Sequence, residues 1–325
     1  MPIHPHHSQS KFNSITFHFC AALVWLLGLT GLAAAQTPPA KIKVVASFTI
    51  LSDFAKVVAG ERAEVKSLVG PDSDAHVYRP TPADARTVKD AQLVIVNGLG
   101  FEGFMTRLVK SSGTKAAIVT ATTGVTAMKA EAEEDGHGHG AKERHGQDHG
   151  KLDPHAWQSI EAAKIYIANI RDGLIKVDPA GKDAYAANAA AYTAELDKLK
   201  AEITSALATI PQEKRIAITS HDALAYFGRE FAFTLEAVQG VSTEGEPSAK
   251  DVARIIRLAK EHKARAVFVE NMTNPRIAEQ IAREAGAKLG GKLFSDALSD
   301  EKGEAPTYMA MMRHNAKMLI EALRP

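Results

Sequence analysis

Hydrophobic and polar positions along this chain fall into two alternating rhythms. In the first half, short apolar or β-branched runs recur: KIKVVASF (41–48), AEVKSLVG (63–70), AQLVIVNG (91–98) and TKAAIVTA (114–121). In the second half come RIAITS (215–220), FTLEAVQG (233–240), ARAVFVE (264–270) and GGKLFSD (290–296). Helical spacing fills the gaps, as in LSDFAKVVAG (51–60) and in residues 157–177, 247–262, 275–286 and 307–323. Strands that lose the polar alternation are buried on both faces, so βα units around parallel sheets are expected. Between the two sets lies a stretch from Lys182 to Thr209 rich in Ala, Leu, Glu and Lys, with no internal Gly or Pro to interrupt it. As one helix it would extend ~40 Å. The pattern therefore predicts an α/β protein of two lobes, 36–178 and 211–325, joined by a linking helix over 179–210.

Two segments break the rhythm. Ile15 to Leu32 is an almost uninterrupted apolar run, followed by Ala33-Ala34-Ala35 and a polar Gln-Thr-Pro-Pro stretch. An apolar core ending in small residues reads as a secretory signal over 1–35, with cleavage after Ala35 and export as the consequence. An uncleaved membrane anchor is the alternative, since the run is nearly long enough to span a bilayer. The second break, 128–151, contains KAEAEEDGHGHGAKERHGQDHGK, with almost no apolar side chain and several glycines. Such a segment cannot bury a core and is expected to be a disordered loop.

Composition narrows the chemistry. The sole cysteine, Cys20, lies early in the apolar leader, so the mature chain is expected to hold no disulfide, no lipid anchor and no thiolate metal site. About 290 mature residues exceed a typical single domain. The net charge of +1 and the lack of a basic stripe interleaved with aromatics argue against nucleic acid as a partner.

Outside the leader and the polar loop there are five histidines. His262, near the end of an amphipathic helix, and His314, among Met and Arg in the last helix, read as surface residues. The other three sit where strands or loops meet helices: His76 in PDSDAHVYRPTP, His155 in LDPHAW and His221 in TSHDALAYF. α/β folds collect ligands at the carboxyl ends of their strands, and Asp296, after KLFS, occupies the same kind of position. Three imidazoles and a carboxylate fill a tetrahedral zinc sphere. Placement alone leaves open whether these are ligands or ordinary structural histidines.

The pieces GPDSDAHVYRPTPAD (70–84), DPHAW (153–157), SHDALAYF (220–227), VQGVSTEGEPSAKDV (238–252) and LFSDAL (293–298) resemble the substrate-binding proteins of zinc and manganese ABC importers, the ZnuA/TroA-like family. The resemblance covers essentially the whole mature chain. It implies two Rossmann-like lobes, each with a mainly parallel sheet of four strands, joined by one rigid helix. It also implies a metal in the cleft between them, with His76, His155, His221 and Asp296 as ligands. The expected function follows: a periplasmic, monomeric binding protein that delivers Zn²⁺ to a membrane permease.

Relatives tuned for manganese tend to carry a carboxylate where this chain has His221, and three nitrogens with one oxygen suit zinc better than Mn²⁺. Mn²⁺ or Fe²⁺ is the alternative cargo. The polar loop, with His137, His139, His145 and His149, resembles the acidic, His-rich loop of zinc-specific relatives, and its imidazoles can collect Zn²⁺ weakly. Glu270 and Asp222 are candidates to support the ligands from behind. A secreted zinc hydrolase is the enzyme alternative. Against it, four protein ligands would close the site to water, no HExxH helix exists, and Ser220-His221-Asp222 are sequence neighbours without a triad's convergence.

Overall fold

The computed structural model describes residues 40–130 and 152–324. The leader read over 1–35 and the four loop histidines lie outside that range. The first lobe is built from β1 (Ile42–Ala46), α1 (Thr49–Ala59), β2 (Ala63–Ser67), α2 (Pro82–Lys89), β3 (Leu93–Val96), α3 (Met105–Ser112), β4 (Ala117–Thr120) and α4 (Ile160–Val177). The long helix α5 (Lys182–Leu207) follows. The second lobe comprises β5 (Ile216–His221), α6 (Ala225–Phe231), β6 (Thr234–Gln239), α7 (Ala249–Glu261), β7 (Ala266–Glu270), α8 (Pro275–Ala285), β8 (Lys288–Leu293) and α9 (Tyr308–Leu323).

Each lobe holds a four-stranded sheet, ordered β2-β1-β3-β4 and β6-β5-β7-β8, with every pairing parallel. In both, the chain reverses its direction of travel across the sheet between the two central strands. That leaves a crevice at the carboxyl ends of β1 and β3 in one lobe and of β5 and β7 in the other. Buried glutamates occupy both crevices. Glu102 accepts from Ser47 Oγ at 2.5 Å and from the Asn97 amide at 2.6 Å, while Glu270 ends β7 beside His221. Burial pushes the Glu102 carboxyl up, against the donors that pull it down.

Helix α5 runs 26 residues, about 39 Å. Its buried stripe, Tyr185, Ala189, Tyr192, Leu196, Leu199, Ile203 and Leu207, repeats every three or four positions. That stripe packs on α1 and α4 of the first lobe and on α9 of the second. One continuous core results, running from Val44 and Phe54 through Leu199 to Phe268, Phe294 and Leu319, while a smaller cluster around Ile218, Ile255 and Ile281 covers the far face of the second sheet. Lobes that share an apolar core resist large relative rotation, which polar interfaces permit.

Local chemistry moves several expected boundaries. Trp157 does not open a helix; it lies in a 3-10 turn (Ala156–Gln158), and α4 starts at Ile160, capped by Ser159 Oγ. The indole is drawn into the core instead, where Nε1 donates to Ser295 O at 2.9 Å. β8 begins at Lys288 rather than Gly290 and ends at Leu293, with a register shift opposite Val267 and Val269. A Cβ on Gly290 would stand 2.5 Å from the Phe268 ring, so only glycine lets the strand approach that face. The polar loop expected over 128–151 is ordered at its start: Lys129 pairs with Leu152 in an antiparallel bridge, and the Met128 amide donates to Tyr226 Oη.

Candidate metal centre

His221 is the last residue of β5, and its backbone is pinned by the neighbouring strand. Its N–H donates to Glu270 Oε1 at 2.9 Å, and Nδ1 of its ring lies 2.6 Å from Glu270 Oε2. With Nδ1 turned to Glu270, Nε2 points at Asp296 Oδ2, 3.2 Å away. His155 repeats the device on a shorter scale. In Asp-Pro-His, Asp153 Oδ1 accepts the His155 N–H at 2.9 Å and lies 2.8 Å from its Nδ1. Asp153 is itself held at its backbone, its amide donating to Met128 O and its carbonyl accepting from Tyr226 Oη.

Asp296 comes three residues after β8. The preceding carbonyl, Ser295 O, accepts from both Trp157 Nε1 and Gln158 Nε2, at 2.9 and 2.7 Å, which ties Asp296 to the turn that follows His155. His76 arrives from the loop after β2, its amide donating to Asp74 Oδ1 at 2.8 Å. The His76 ring rests edge-on against Phe101, with centroids 4.7 Å apart.

One nitrogen from each histidine and one oxygen of Asp296 lie within 4.8 Å of one another. His76 Nε2 and His221 Nε2 are each 3.2 Å from Asp296 Oδ2, and His155 Nε2 is 3.4 Å from His76 Nε2. A tetrahedron with ~2.0–2.1 Å bonds has edges of about 3.3–3.4 Å, which these three separations match, while the widest, up to 4.8 Å, would have to close around a small cation. Asp296 Oδ1 is buried without a hydrogen-bond partner, as an oxygen reserved for a cation would be. Phe101 and Trp157 pack edge-on to His155.

The electrostatics fit a positive guest. Burial alone would drive the His221 ring below its ordinary range, but Glu270 and Asp296 beside it outweigh burial and hold it well above. For Asp296, burial opposes ionisation, yet His221 and His155 hold the carboxyl well below the usual range. The cluster is thus a buried anionic pair facing imidazoles, which a proton or a metal ion must balance.

The structure brings His76, His155, His221 and Asp296 together, and puts Glu270 on the outer nitrogen of His221. Asp222 donates its amide to Gln239 O at 3.1 Å; the carboxylate at His221 Nδ1 is that of Glu270. His137, His139, His145 and His149 lie outside the described residues. His314 is remote from the cluster, Nε2 2.9 Å from Lys292 O, and His262 lies beside Glu236. Sequence reasoning missed Asp153 and Asp74. Both stand two residues before a histidine, a spacing at which a carboxylate can fold back on the backbone N–H.

The family model described as zinc-uptake complex component A, periplasmic, matches residues 44–322. Curated relatives include the manganese-binding lipoprotein MntA of Halalkalibacterium halodurans, 33% identical over 87% of this chain and 88% of its own. The iron-binding protein YfeA of Yersinia pestis is 34% identical over 84% and 83%. Among solved structures, the periplasmic zinc binding protein TroA from Treponema pallidum superposes with a TM-score of 0.78 at 27% identity, covering 88% of this chain and all of that one. The manganese-bound periplasmic metal binding protein from Candidatus Liberibacter asiaticus superposes with a TM-score of 0.75 at 28% identity, over 87% of this chain and all of that one.

Proposed function

Because this chain belongs to the periplasmic zinc-uptake complex component A family, whose members are substrate-binding proteins of metal ABC importers and not enzymes, we propose that its own cargo is Zn²⁺. In this reading His76, His155, His221 and Asp296 take the ion in the cleft between the lobes and release it to a membrane permease. The donor set carries the reading. Three imidazole nitrogens and one carboxylate oxygen match zinc's tetrahedral preference, whereas Mn²⁺ and Fe²⁺ favour more oxygen and higher coordination.

The ligands are also backed as zinc histidines usually are. Asp153 Oδ1 and Glu270 Oε2 stand 2.8 and 2.6 Å from the outer ring nitrogens, where a carboxylate favours the tautomer that turns Nε2 toward the ion. Manganese is the second reading, favoured by relatives whose names record manganese or iron binding. A hydrolytic zinc site needs an open position for water, and four protein ligands leave none. None of the described helices is long and apolar enough to cross a membrane. A leader cleaved after Ala35 would deliver a monomeric protein to the periplasm, and the only cysteine, Cys20, would be lost with it. The histidines at 137, 139, 145 and 149 would collect zinc weakly ahead of the cleft.

Metal content of protein purified from its own compartment, followed by competition between Zn²⁺ and Mn²⁺, tests the cargo. Zinc should be retained against a large excess of manganese, and the reverse would overturn the zinc reading. His155→Ala should weaken zinc binding by more than the roughly 10–100-fold typical of losing a partner behind a ligand. Retained tight binding would remove His155 from the ligand set.

A further inference from the structure

We propose that Asp74 is a positioning residue that latches the His76 ligand to the second lobe through Thr243, and that this latch governs how fast the cargo leaves. The inference rests on the metal reading above. The four ligands are not equally buried. The side chains of His155, His221 and Asp296 are fully buried, while His76 keeps 5% of its side-chain surface. An ion held among them meets solvent first at the His76 edge.

His76 is also held differently. The rings of His155 and His221 are each gripped by a carboxylate that also takes the residue's own backbone N–H. His76 is anchored at its backbone, through Asp74 Oδ1 at 2.8 Å. The other oxygen of the same carboxylate, Oδ2, accepts a hydrogen bond from Thr243 Oγ1 at 2.6 Å. Thr243 lies in the loop between β6 and α7, in the second lobe, where Ser242 Oγ accepts from the Glu244 amide and the Gln239 side chain bonds Gly245 O. One carboxylate therefore joins the most exposed ligand to the opposite lobe.

The His76 loop has a second attachment further back. The Asp72 amide donates to Leu298 O at 3.0 Å, and Asn271 Nδ2 donates to Asp72 Oδ1 at 2.8 Å. Those bonds leave Asp72 as a pivot. Tyr78 Oη, donating to Asp84 Oδ2 at 2.9 Å, fixes the far end of the loop, and Ala75 is buried in the shared core. Breaking the Thr243 bond would therefore loosen the His76 backbone between Asp72 and Tyr78 while the core keeps the lobes together. Release through one ligand's loop suits this molecule better than wholesale rotation of its lobes.

The test follows dissociation of Zn²⁺ from the full-length loaded protein by stopped flow, with a fluorescent chelator in excess, alongside association rates and thermal unfolding. Thr243→Val keeps the side-chain shape and removes only the latch bond. It should raise the off-rate about tenfold, the worth of one good hydrogen bond, and leave the on-rate within about twofold. Asp74→Ala, losing both bonds, should release zinc faster still, and Thr243→Val should add nothing in that background. Asp74→Asn can still accept from the His76 N–H and donate to Thr243, so it should stay close to wild type. A purely structural role would lower the melting temperature without this kinetic split. An unchanged off-rate in Thr243→Val, or a full additional effect in the Asp74→Ala background, would overturn the latch. Failure of the wild-type protein to bind zinc would instead overturn the metal reading beneath it.

Discussion

Glu270 grips His221 at two points, accepting the backbone N–H through Oε1 at 2.9 Å and standing 2.6 Å from ring Nδ1 through Oε2. A carboxylate can accept both hydrogens at once. A glutamine cannot, because one of its two atoms is a donor. If the amide NH₂ faced Nδ1, the ring would take the tautomer that protonates Nε2, the nitrogen aimed at the cleft. Glu270→Gln should therefore weaken zinc binding about 10–100-fold with the fold intact. Competition against a chelator of known affinity measures it. Affinity equal to wild type would mean that the ring is oriented by packing alone.

The same pair sets a pH dependence. Despite burial, Glu270 and Asp296 hold the His221 ring well above the ordinary histidine range in the metal-free protein. Asp296 stays ionised throughout, since burial is outweighed there by His221 and His155. Zinc must then displace a proton from His221 even at neutral pH. Affinity should keep rising with pH beyond ~6.5, where a site of ordinary histidines would level off. Calorimetry at neutral pH in buffers of different ionisation enthalpy should register release of at least one proton. No release at pH 7.5 would contradict a protonated His221.

What could be read from the chain, and what could not, divides along physical lines. The central strands β1, β3, β5 and β7 were legible because apolar runs buried on both faces keep no polar alternation. The half-exposed edge strands β2, β4, β6 and β8 were legible by their place in the βα rhythm, and α5 because nothing in it breaks a helix. The histidines stood out because His76, His155 and His221 follow or precede such elements. Illegible were relations made only by folding. Asp153 and Asp74 look like ordinary turn residues until their carboxylates are seen to fold back on His155 and His76. The start of β8 was hidden because Gly290 and Gly291 weaken the strand pattern, although Gly290 is where Phe268 needs room. The stripe on α5 predicts burial, but not that it would weld both lobes into one core.

Asp53, on α1, accepts the Tyr308 N–H at the start of α9 at 2.9 Å, so it stitches the first lobe to the last helix. Burial pushes its carboxyl up to about 6, against the pull of that N–H and of Lys56. The folded state thus holds this proton more tightly than the unfolded chain, whose carboxyl ionises near 3.8. Stability from this group is full below the lower value and lost as pH rises through the higher. The loss is on the order of 1–3 kcal/mol. Asp53→Asn still accepts the N–H but never ionises. Its stability relative to wild type, from urea unfolding, should improve between pH 4 and pH 7. A pH-independent difference would show that Asp53 titrates alike in both states.

The histidines at 137, 139, 145 and 149 belong to a segment whose two ends the fold holds together. Lys129 pairs with Leu152 in an antiparallel bridge, and the Asp153 amide donates to Met128 O at 2.9 Å. Deleting 131–150 leaves Ala130 and Lys151 to connect the bridged residues, which is the length of the tightest hairpin loop; Asn-Gly in their place would suit the turn better. The closure leaves Asp153 where it is, and with it the grip on His155. Affinity of the cleft should therefore stay within about twofold of wild type. Weaker zinc equivalents, seen by calorimetry at higher metal concentration, should disappear. Unchanged stoichiometry would make the segment a bystander. A large fall in cleft affinity would instead mean that residues 131–150 act on the buried site itself, which neither their composition nor the bridged ends of the segment leads one to expect.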